Sequence, residues 1–498
     1  MRALVALLGM ACCGQAAVLQ GVVIDYESGR PLARTGVILT SLTGGPGQAI
    51  RTESNGSFFF GAPPGVYLLT LAREGFATYR YGAKCWNCPG APLFLNGEER
   101  TAVDIRMRRL GALSGTIMDE NQVGIPNIEV MVYTATRPLK EAGKAKSDDR
   151  GFFRLGGLAP GPYVVRTLAT ETKDGMSYLA SFYPEGTEMK FSRTVNVELE
   201  KTWTNVDFPL VPGKLYRVQG RVVAPVAGMV NSIDLISDSG RDKVAVDPQG
   251  NFVFDHVSPG NYELFSDGRT TSGYYAAWQP VTVEHDTEVN AQMQLCSGVT
   301  FFARDDQRRT IGSTDIKVIM RRRDLDKTGP EIALRPGRSP DIALGNWEVL
   351  MTPGSDSYVR DVTLSGRRLE GRSKDSMDGW NLAHVANNPN YMQITTSAKT
   401  ASITGRVLDR PNEAVPYAPV FLVTMDLEPP DPPVVRQVRA AADGNFQFLG
   451  LPPGKYRLLA SLELDPSDRA AMEAAHPAEV SLTQGGSALH DLSLYHRP

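Results

Sequence analysis

One short phrase that occurs four times in this chain constrains its fold more than any other feature. Its clearest copy, residues 443–456, reads as a polar turn, a strand that alternates Phe446 and Phe448, a Pro-Gly corner and a second strand led by Tyr456. The other copies are 55–67, 150–163 and 249–262. In every copy the corner glycine stands nine or ten positions after the turn glycine. A phrase that recurs at such regular spacing indicates a repeat protein.

The residue types in this phrase have backbone roles. A glycine after Asn or Asp supplies the positive φ that a tight hairpin needs. Alternating aromatics place Phe446 and Phe448 on one buried face of a strand. Proline fixes its own φ at the corner, and Tyr456 can bury its ring while its hydroxyl finds a polar partner. None of these groups is chemically reactive, so the phrase predicts joined strands and no catalysis.

A second phrase, an apolar strand that contains one glycine, opens each repeating unit. These glycines are Gly21, Gly115, Gly220, a weaker Gly298, and Gly405, and they fall 78 to 107 residues apart. Each unit then closes with another strand of alternating polar and apolar residues. Units of this size, with short alternating strands and frequent turns, predict β-sandwiches.

The chain of 498 residues divides into five such units after a signal peptide. The predicted segments are a signal peptide at 1–17 and sandwiches at 18–109, 110–213, 214–296, 297–397 and 398–498. The fourth is degenerate, because Gly345-Asn346-Trp347 replaces the Gly-x-Tyr strand, no Phe-x-Phe strand precedes it, and 366–390 reads as a surface loop. The joins between units are short, so we expect a semi-rigid rod.

Three elements together resemble the carboxypeptidase regulatory-like domain. They are the opening Gly-x-Val-x-Asp strand at 405–409, the Pro-led strand at 416–422 and the turn-and-corner phrase at 443–456. The resemblance covers 18–109, 110–213, 214–296 and 398–496 well and 297–397 poorly. It implies a transthyretin-like, Greek-key sandwich, a fold grouped with carbohydrate-binding-like folds and close to collagen-adhesin B-type modules. The tandem arrangement resembles large exported bacterial proteins. In metallocarboxypeptidases this domain is non-catalytic, so the resemblance implies a fold and a compartment but no activity.

The N-terminus predicts export. Arg2 precedes an apolar run over 3–11 and small residues, with a plausible cleavage site after Ala16. A lipoprotein signal through Cys12 or Cys13 is an alternative that fits less well. The run is too short to span a bilayer, and no other stretch approaches ~18 apolar residues. We therefore predict no transmembrane segment and a periplasmic, cell-surface or extracellular location.

The charge of the chain argues against a nucleic-acid partner. The net charge is −3 at pH 7, which leaves no overall basic footprint. One basic cluster, Arg321-Arg322-Arg323, interrupts this balance. We interpret it as the solvated end of a strand.

The cysteines that follow the signal predict one small disulfide. Cys85 and Cys88 form a Cys-x-x-Cys pair, and Pro89 stands where a haem-attachment motif would need histidine. Pro89 also argues against the helix that a thioredoxin-like site requires, and no second pair at zinc-ligand spacing lies nearby. A disulfide that pins a loop in an oxidising compartment remains. Cys296 is then expected to be a buried free thiol.

A search for catalytic motifs finds one weak candidate. His285 and Glu288 form the His-x-x-Glu spacing of metallocarboxypeptidases, in a segment that aligns with the closing strands of a repeat. Asp148, Asp247 and Asp443 precede turn glycines, where turn capping and calcium binding are alternatives. We predict a non-enzymatic protein with no cofactor and no metal. A metallopeptidase acting through His285 and Glu288 stays open as an alternative.

Aromatic residues that follow the Gly-x-Tyr strands are the better binding candidates, and we expect them in loops. They are Tyr79, Tyr81, Trp86, Tyr178, Tyr183, Tyr274, Tyr275 and Trp278. The fifth unit has a predicted short helix over 466–474 in their place. Aromatic faces suit stacking against sugar rings or anchoring a protein. Alternatively, the rings cover sandwich edges or fill the joints between units.

Two functional hypotheses follow. The first is an exported array that binds carbohydrate or cell-envelope glycan through these aromatic loops. The second is a structural or adhesive spacer that contacts envelope proteins.

Overall fold

A computed structural model describes most of the chain. The described residues are 17–97, 100–135, 139–173, 175–237, 240–296, 298–312, 315–323, 328–335, 337–339, 342–354, 356–371, 379–386, 389–424 and 435–497. The predicted signal sequence before Ala17 lies outside them. By backbone contacts the chain divides into two compact units: one contains residues up to Leu110 with 462–465 and 496–498, and the other contains 111–461 and 466–495.

The predicted all-β fold is confirmed. The described regular structure is β-strand except for α1, Arg469–Ala474, and a 3-10 turn, Met189–Phe191. Helix α1 lies within the predicted 466–474 segment, and the Asp468 carboxylate caps it by accepting a hydrogen bond from the Ala471 amide at 3.0 Å. The strands form five successive pairs of sheets, and we call these pairs the first to fifth sandwich.

The first sandwich contains β1 to β8. Their bounds are Ala17–Asp25, Gly36–Ser41, Gln48–Arg51, Ser57–Ala62, Gly65–Ala72, Tyr79–Arg80, Leu93–Leu95 and Arg100–Met107. One sheet has the order β4-β1-β8, and the other has the order β3-β2-β5-β6 with β7 also on β5.

The second sandwich contains β9 to β18. Their bounds are Gly111–Met118, Glu129–Thr134, Lys140–Lys146, Phe152–Leu158, Gly161–Thr167, Thr170–Glu171, Ser177–Tyr178, Val195–Val197, Thr202–Trp203 and Phe208–Pro209. The sheet orders are β12-β9-β17, with β18 also on β9, and β11-β10-β13-β16. A separate ribbon joins β14 and β15.

The third sandwich contains β19 to β26. Their bounds are Tyr216–Val223, Ser232–Ser237, Gly240–Ala245, Asn251–Val257, Gly260–Thr270, Gly273–Val283, Thr287–Gln292 and Gln294–Leu295. The sheet orders are β22-β19-β25 and β21-β20-β23-β24-β26.

The fourth sandwich contains β27 to β36. Their bounds are Val299–Asp305, Ile316–Arg323, Thr328–Leu334, Gly337–Ser339, Gly345–Pro353, Tyr358–Leu364, Arg367–Arg368, Glu370–Gly371, Trp380–Val385 and Asn390–Ser397. The sheet orders are β30-β27-β36-β32-β33 and β29-β28-β31-β35-β34. The predicted surface loop over 366–390 is therefore wrong where β33, β34 and β35 run. The alternation of Trp380–Val385 lets this segment pair with β31 and extend the sheet.

The fifth sandwich contains β37 to β45. Their bounds are Ala401–Arg410, Glu413–Ala414, Pro419–Thr424, Val435–Arg439, Asn445–Leu451, Gly454–Ala460, Ala478–Leu482, Ser487–Leu489 and Leu492–Ser493. The sheet orders are β38-β37-β41, with β44 and β45 also on β37, and β40-β39-β42-β43.

Each opening strand lies between two neighbours in its sheet and pairs in parallel with the closing strand of the same sandwich. The parallel pairs are β1–β8, β9–β17, β9–β18, β19–β25, β27–β36, β37–β44 and β37–β45. The recurring glycine stands where the closing strand passes closest. A Cβ at Gly220, for example, would lie 1.8 Å from the carbonyl oxygen of Val289. Gly298 differs, because it precedes β27 and has a φ of 68°.

The alternating aromatics occupy the core, as predicted. Phe446 and Phe448 are both buried, and their rings meet edge to face with centroids 6.2 Å apart. The pairs Phe58–Phe60 and Phe252–Phe254 have the same geometry, at 6.2 and 5.9 Å. Such pairs contribute about 0.5–1.5 kcal/mol beyond the area that they bury.

The tyrosine after each corner buries its ring and donates its hydroxyl to a carbonyl four residues earlier. The distances are 2.7 Å for Tyr67 to Pro63, 2.8 Å for Tyr163 to Ala159, 2.7 Å for Tyr262 to Ser258 and 2.9 Å for Tyr456 to Pro452. In the fourth sandwich the Trp347 indole N–H donates to the Ala343 carbonyl at 2.9 Å. The predicted substitution of Trp347 for this tyrosine is confirmed, and the polar link that closes the corner is kept.

We expect Tyr456→Phe to destabilise the fifth sandwich by about 1–2 kcal/mol, because it leaves the buried Pro452 carbonyl without its donor. Hydrogen exchange of the β42 amides at increasing urea concentration measures this loss. Tyr391→Phe is the control, since the Tyr391 side chain is exposed. Equal effects from the two substitutions would contradict the assigned role of the Tyr456 hydroxyl.

Candidate functional site

The His-x-x-Glu motif lies on the surface. His285 is exposed in the turn between β24 and β25, and Glu288 is exposed in β25. Across the part of the chain that the structure describes, no three His, Cys, Asp or Glu side chains gather where they could hold a metal ion. The neighbouring Asp286 carboxylate accepts a hydrogen bond from the Arg217 amide at 3.0 Å. These contacts support the interpretation of the motif as a solvated turn.

The turn aspartates bind backbone amides. One Asp247 carboxylate oxygen accepts from the Gln249 and Asn251 amides at 2.9 and 2.7 Å, and the other accepts from the Asn251 side chain at 2.9 Å. The Asn251 side chain and amide together lower the pKa of Asp247. The Asn445 amide lowers the pKa of Asp443 in the matching turn. The carboxylates thus act as turn caps.

The cysteines are structural. Cys85 and Cys88 form a disulfide whose Cα atoms are 5.0 Å apart. Cys296 is a buried free thiol, and burial raises its pKa. Because the thiolate is the reactive form, a raised pKa keeps Cys296 unreactive near neutral pH.

In the first sandwich the candidate aromatics lie along one sheet edge. Tyr79 is in β6, paired with Leu71 of β5, and Tyr81 follows directly. Both rings pack against the core, and burial raises the pKa of Tyr79. Trp86 is half-buried in the loop that the disulfide closes, where its carbonyl accepts a hydrogen bond from Arg80 at 3.4 Å.

In the second sandwich the candidate aromatics belong to the core. Tyr178 is buried in β15, and burial raises its pKa. Tyr183 is half-buried and packs edge to face on the buried Phe208 ring, with centroids 6.1 Å apart. Both rings thus take part in the packing of this sandwich.

In the third sandwich the candidate aromatics lie in a strand. Tyr274, Tyr275 and Trp278 all belong to β24, so the expected loop position is wrong for them. The long β23–β24 hairpin extends the sheet through this segment. Tyr274 donates its hydroxyl to the Asp267 carboxylate, and burial together with that carboxylate raises its pKa. Tyr275 packs on the core of the same sandwich.

Trp278 helps to form a buried joint between the third and fourth sandwiches. Its ring packs on Phe265 with centroids 5.3 Å apart. The Arg322 guanidinium of β28 lies 3.5 Å from the centre of the Phe265 ring and 4.1 Å from that of Trp278. The Arg322 side chain is only 8% exposed. A planar guanidinium on two aromatic faces is a strong, desolvated cation–π contact.

The apolar core is continuous across this joint. Ile236, Phe265, Ala276 and Cys296 of the third sandwich belong to the same buried cluster as the core of the fourth. The strands that carry them lie in the sheet that faces the fourth sandwich. Two sandwiches that share one core resist relative motion more than two that meet at a polar surface.

The predicted solvated position of Arg321-Arg322-Arg323 is therefore wrong. Arg321 forms an ion pair at 2.6 Å with Glu348, whose side chain is fully buried, and stacks 3.9 Å from the centre of the Trp380 ring. Arg322 occupies the joint. Long arginine stems on neighbouring positions of a strand point to opposite faces, and both faces here offer an aromatic ring.

A second joint connects the second and third sandwiches. Arg166 of β13 is buried and lies 5.4 Å from the centre of the Tyr133 ring. A Cβ at Gly240 of β21 would lie 2.1 Å from an Arg166 guanidinium nitrogen, so the two sandwiches meet closely here. The Ala180 amide also donates to the Ser258 hydroxyl at 3.2 Å.

Phe265, Arg166 and Arg322 were missed by motif reasoning. Arg166 and Phe265 each stand five residues after the corner glycine of their strand, at a position that alternation directs away from the core. The only signal in the sequence is a large side chain on the outer face of the sheet. It indicates that another part of the protein or a ligand covers this face, but it does not identify which.

None of the described residues forms a helix that is long and apolar enough to cross a membrane.

Comparison with known proteins identifies the fold family at both ends of the chain. Residues 18–108 and 402–492 match the family model of the carboxypeptidase regulatory-like domain. No curated protein matches the chain.

Three solved structures are similar to parts of this chain. The TIE protein of Bacillus anthracis has 16% identity and a TM-score of 0.20, with 56% of this chain and 50% of that chain covered. The minor pilin GBS52 of Streptococcus agalactiae has 16% identity and a TM-score of 0.25, with 40% and 97% covered. The shaft pilin SpaA of Lactobacillus rhamnosus GG has 14% identity and a TM-score of 0.25, with 40% and 98% covered.

The matched segments coincide with the first and fifth sandwiches, whose opening strands, Phe-x-Phe strands and corner tyrosines carry the repeated phrases. The chain therefore contains two domains of the carboxypeptidase regulatory-like family, at residues 18–108 and 402–492.

Proposed function

We propose that this chain is a non-enzymatic, exported spacer whose second, third and fourth sandwiches are held together by buried joints and whose surfaces contact other proteins. The observation that carries the proposal is the joint where Arg322 packs on Phe265 and Trp278 within a shared core. Inter-domain motion is the default for sandwiches that meet at small polar interfaces. Packing the buried Arg322 on the buried Phe265 ring and the partly buried Trp278 ring opposes that motion.

The contacts of the ionisable groups support a non-enzymatic role. The turn aspartates cap backbone amides, and the His285 and Glu288 side chains are exposed, one in the turn before β25 and the other in β25 itself. The Cys296 thiol is buried and its pKa is raised. Catalytic groups usually lie in a cleft beside a partner that acts on them, whereas these groups cap turns, lie on the exposed surface or are buried in a core. Regulatory-like domains at both ends agree with a binding or structural role.

Spin-label distances test the spacer. Val253→Cys and Gln307→Cys place labels on exposed sites of the third and fourth sandwiches, while Cys296 stays buried and unlabelled. Double electron–electron resonance should give one narrow distance distribution. Arg322→Ala should broaden it, because the two rings lose their shared partner. A broad distribution in the unsubstituted joint would reject the rigid spacer.

Carbohydrate binding through the predicted aromatics remains a second candidate, in a narrower form. Of the eight rings, those of Tyr178, Tyr183, Tyr274, Tyr275 and Trp278 pack in cores or joints. Trp86, half-buried in the loop closed by the disulfide, is the ring best placed to meet a ligand, with Tyr79 and Tyr81 beside it in the chain. Loss of retention of the full chain on insoluble polysaccharide after Trp86→Ala would support this candidate, and unchanged retention would reject it.

A further inference from the structure

The opening and closing strands of each sandwich are arranged so that they carry tension along the chain. They lie side by side and run in the same direction. In a parallel pair the start of one strand and the end of the other lie at opposite ends of the pair. Tension on the chain therefore pulls the two strands past each other and loads the hydrogen bonds between them in shear.

The continuity of this ladder of hydrogen bonds determines how well a sandwich resists tension. In shear the bonds of a continuous ladder carry the load together, so the ladder must break as a unit. An interrupted ladder can break one short segment at a time, and each step needs less force. Because unfolding under force is governed by the unfolding rate, a divided ladder should open at a lower force.

The first, third and fourth sandwiches have a continuous ladder. Eight residue pairs join β1 to β8, six join β19 to β25 and seven join β27 to β36. The two-residue β26 follows β25 in the other sheet and can detach without breaking the β19–β25 ladder. The third and fourth sandwiches also share a core, which adds to their resistance.

The second and fifth sandwiches have a divided ladder. In the second, two residue pairs join β9 to β17 and another two join it to β18. In the fifth, three pairs join β37 to β44 and two join it to β45. After β45 a bridge between Leu494 and Ala460 adds one more short contact. Each of these segments is short enough to break by itself.

An aspartate stands at the break in both divided ladders. The Asp207 carboxylate accepts a hydrogen bond from the Thr116 amide at 2.6 Å, and the Asp491 carboxylate accepts one from the Arg406 amide at 2.9 Å. Both bonds are exposed, so water can take the place of the carboxylate when the strands begin to slide. A hydrogen bond that water can replace contributes little net free energy. We therefore expect sliding to begin at these breaks.

We propose that this chain is a load-bearing tether whose second and fifth sandwiches open first under tension, while the other three stay folded. This inference rests on the proposed spacer function, because only a chain that is attached at both ends carries tension. The two divided sandwiches contain about 200 residues, which extend to roughly 70 nm. Their opening would lengthen the tether, lower the tension and protect the buried joint between the third and fourth sandwiches.

Single-molecule force spectroscopy on the full chain, held by handles at its two ends, tests the proposal. Two unfolding events should come first, at lower force than the others. Each should release about 100 residues, which is roughly 35 nm of extended chain. Similar unfolding forces for all events would overturn the proposal.

Engineered disulfides assign the events to sandwiches. Leu408→Cys/Ser493→Cys joins β37 to β45 at paired positions, and the spacing of neighbouring strands suits a disulfide. The oxidised variant should lose one low-force event. Val22→Cys/Asp104→Cys is the matched control, at exposed paired positions of β1 and β8, and it should lose a high-force event instead. Reduction should restore the pattern that the unsubstituted chain gives in the same reductant, which also shows that both variants fold.

Substitutions at the breaks test the role of the aspartates. Asp491→Ala should lower the force of the event that the disulfide in the fifth sandwich removes, and Asp207→Ala should lower that of the other early event. Asp104→Ala, in the continuous β1–β8 ladder, is the control and should leave both early forces unchanged. Unchanged forces in both break variants, or a low-force event that is lost with the disulfide in the first sandwich, would contradict the proposal.

The spin-label distances separate a failure of the tether from a failure of the spacer, because they are measured without load. Uniform unfolding forces with a narrow distance distribution would reject the tether and leave the spacer. A broad distance distribution would reject the rigid spacer, whatever the order of the unfolding forces.

Discussion

Gly21→Ala is expected to destabilise the first sandwich by about 4 kcal/mol or more, a loss reserved for a few severe mechanisms. A Cβ on Gly21 would lie 2.1 Å from the Val103 carbonyl oxygen and 2.8 Å from the Phe58 ring. The carbonyl belongs to β8, which pairs in parallel with β1 across this point. This backbone carbonyl cannot move away without separating β8 from the central strand β1. Because the clash is with backbone, a change of side-chain rotamer cannot relieve it.

Gly61→Ala is the matched control for this substitution. Gly61 lies in β4 of the same sheet, paired with Val18 of β1, and a Cβ there would meet nothing within 4 Å. The free energy of unfolding should be unchanged or rise by about 0.4–1 kcal/mol, because alanine lowers the conformational entropy of the unfolded chain. Urea unfolding followed by hydrogen exchange of the β1 amides measures both variants. Similar losses at the two positions would remove steric contact as the reason for the glycine.

The same close approach occurs in three other sandwiches. Cβ atoms would lie 2.1 Å from the Val206 carbonyl oxygen at Gly115, 1.8 Å from that of Val289 at Gly220 and 1.9 Å from that of His490 at Gly405. The repeated glycine was visible in the sequence, but its reason was not. The colliding carbonyl lies in a closing strand or between two short closing strands, about 70–90 residues later in the chain, and only the parallel pairing brings it near.

Local chemistry was the predictable part of this protein. Turn aspartates such as Asp247, the buried faces of Phe446 and Phe448, and the corner tyrosines depend on contacts within a few residues of chain. A single copy of the phrase therefore contains all the residues that determine its local structure. Even Trp347 could be recognised as a tyrosine substitute from its place two residues after Gly345, and its indole N–H then makes the equivalent bond to the carbonyl four residues earlier.

Contacts between sandwiches were not predictable in this way. Trp278 has the sequence signature of an outward ring whether it meets solvent, a ligand or another sandwich, and its partner Arg322 is 44 residues away. Arg322 in turn looks like part of a solvated basic run. The fourth sandwich was underestimated for a related reason: β35, Trp380–Val385, alternates correctly but matches no repeated phrase.

Trp278→Ala should cost about 3–5 kcal/mol of unfolding free energy in the third and fourth sandwiches together. The substitution removes a large ring from a buried joint and takes one of two aromatic faces from Arg322, a cation held in a site that is nearly closed to water. Hydrogen exchange should show lost protection in β24 and β28 at the same urea concentration, because one shared core connects them.

Trp203→Ala is the control, since Trp203 is 45% exposed in the second sandwich and its removal should change stability by less than about 1 kcal/mol. A double-mutant cycle between Trp278→Ala and Arg322→Ala then isolates the contact itself. We expect a coupling of about 1–2 kcal/mol, because the pair is close and desolvated. A coupling near zero would mean that Arg322 and Trp278 stabilise their own sandwiches separately. The contact between them would then not hold the third and fourth sandwiches together, and the proposed rigidity of the spacer would be contradicted.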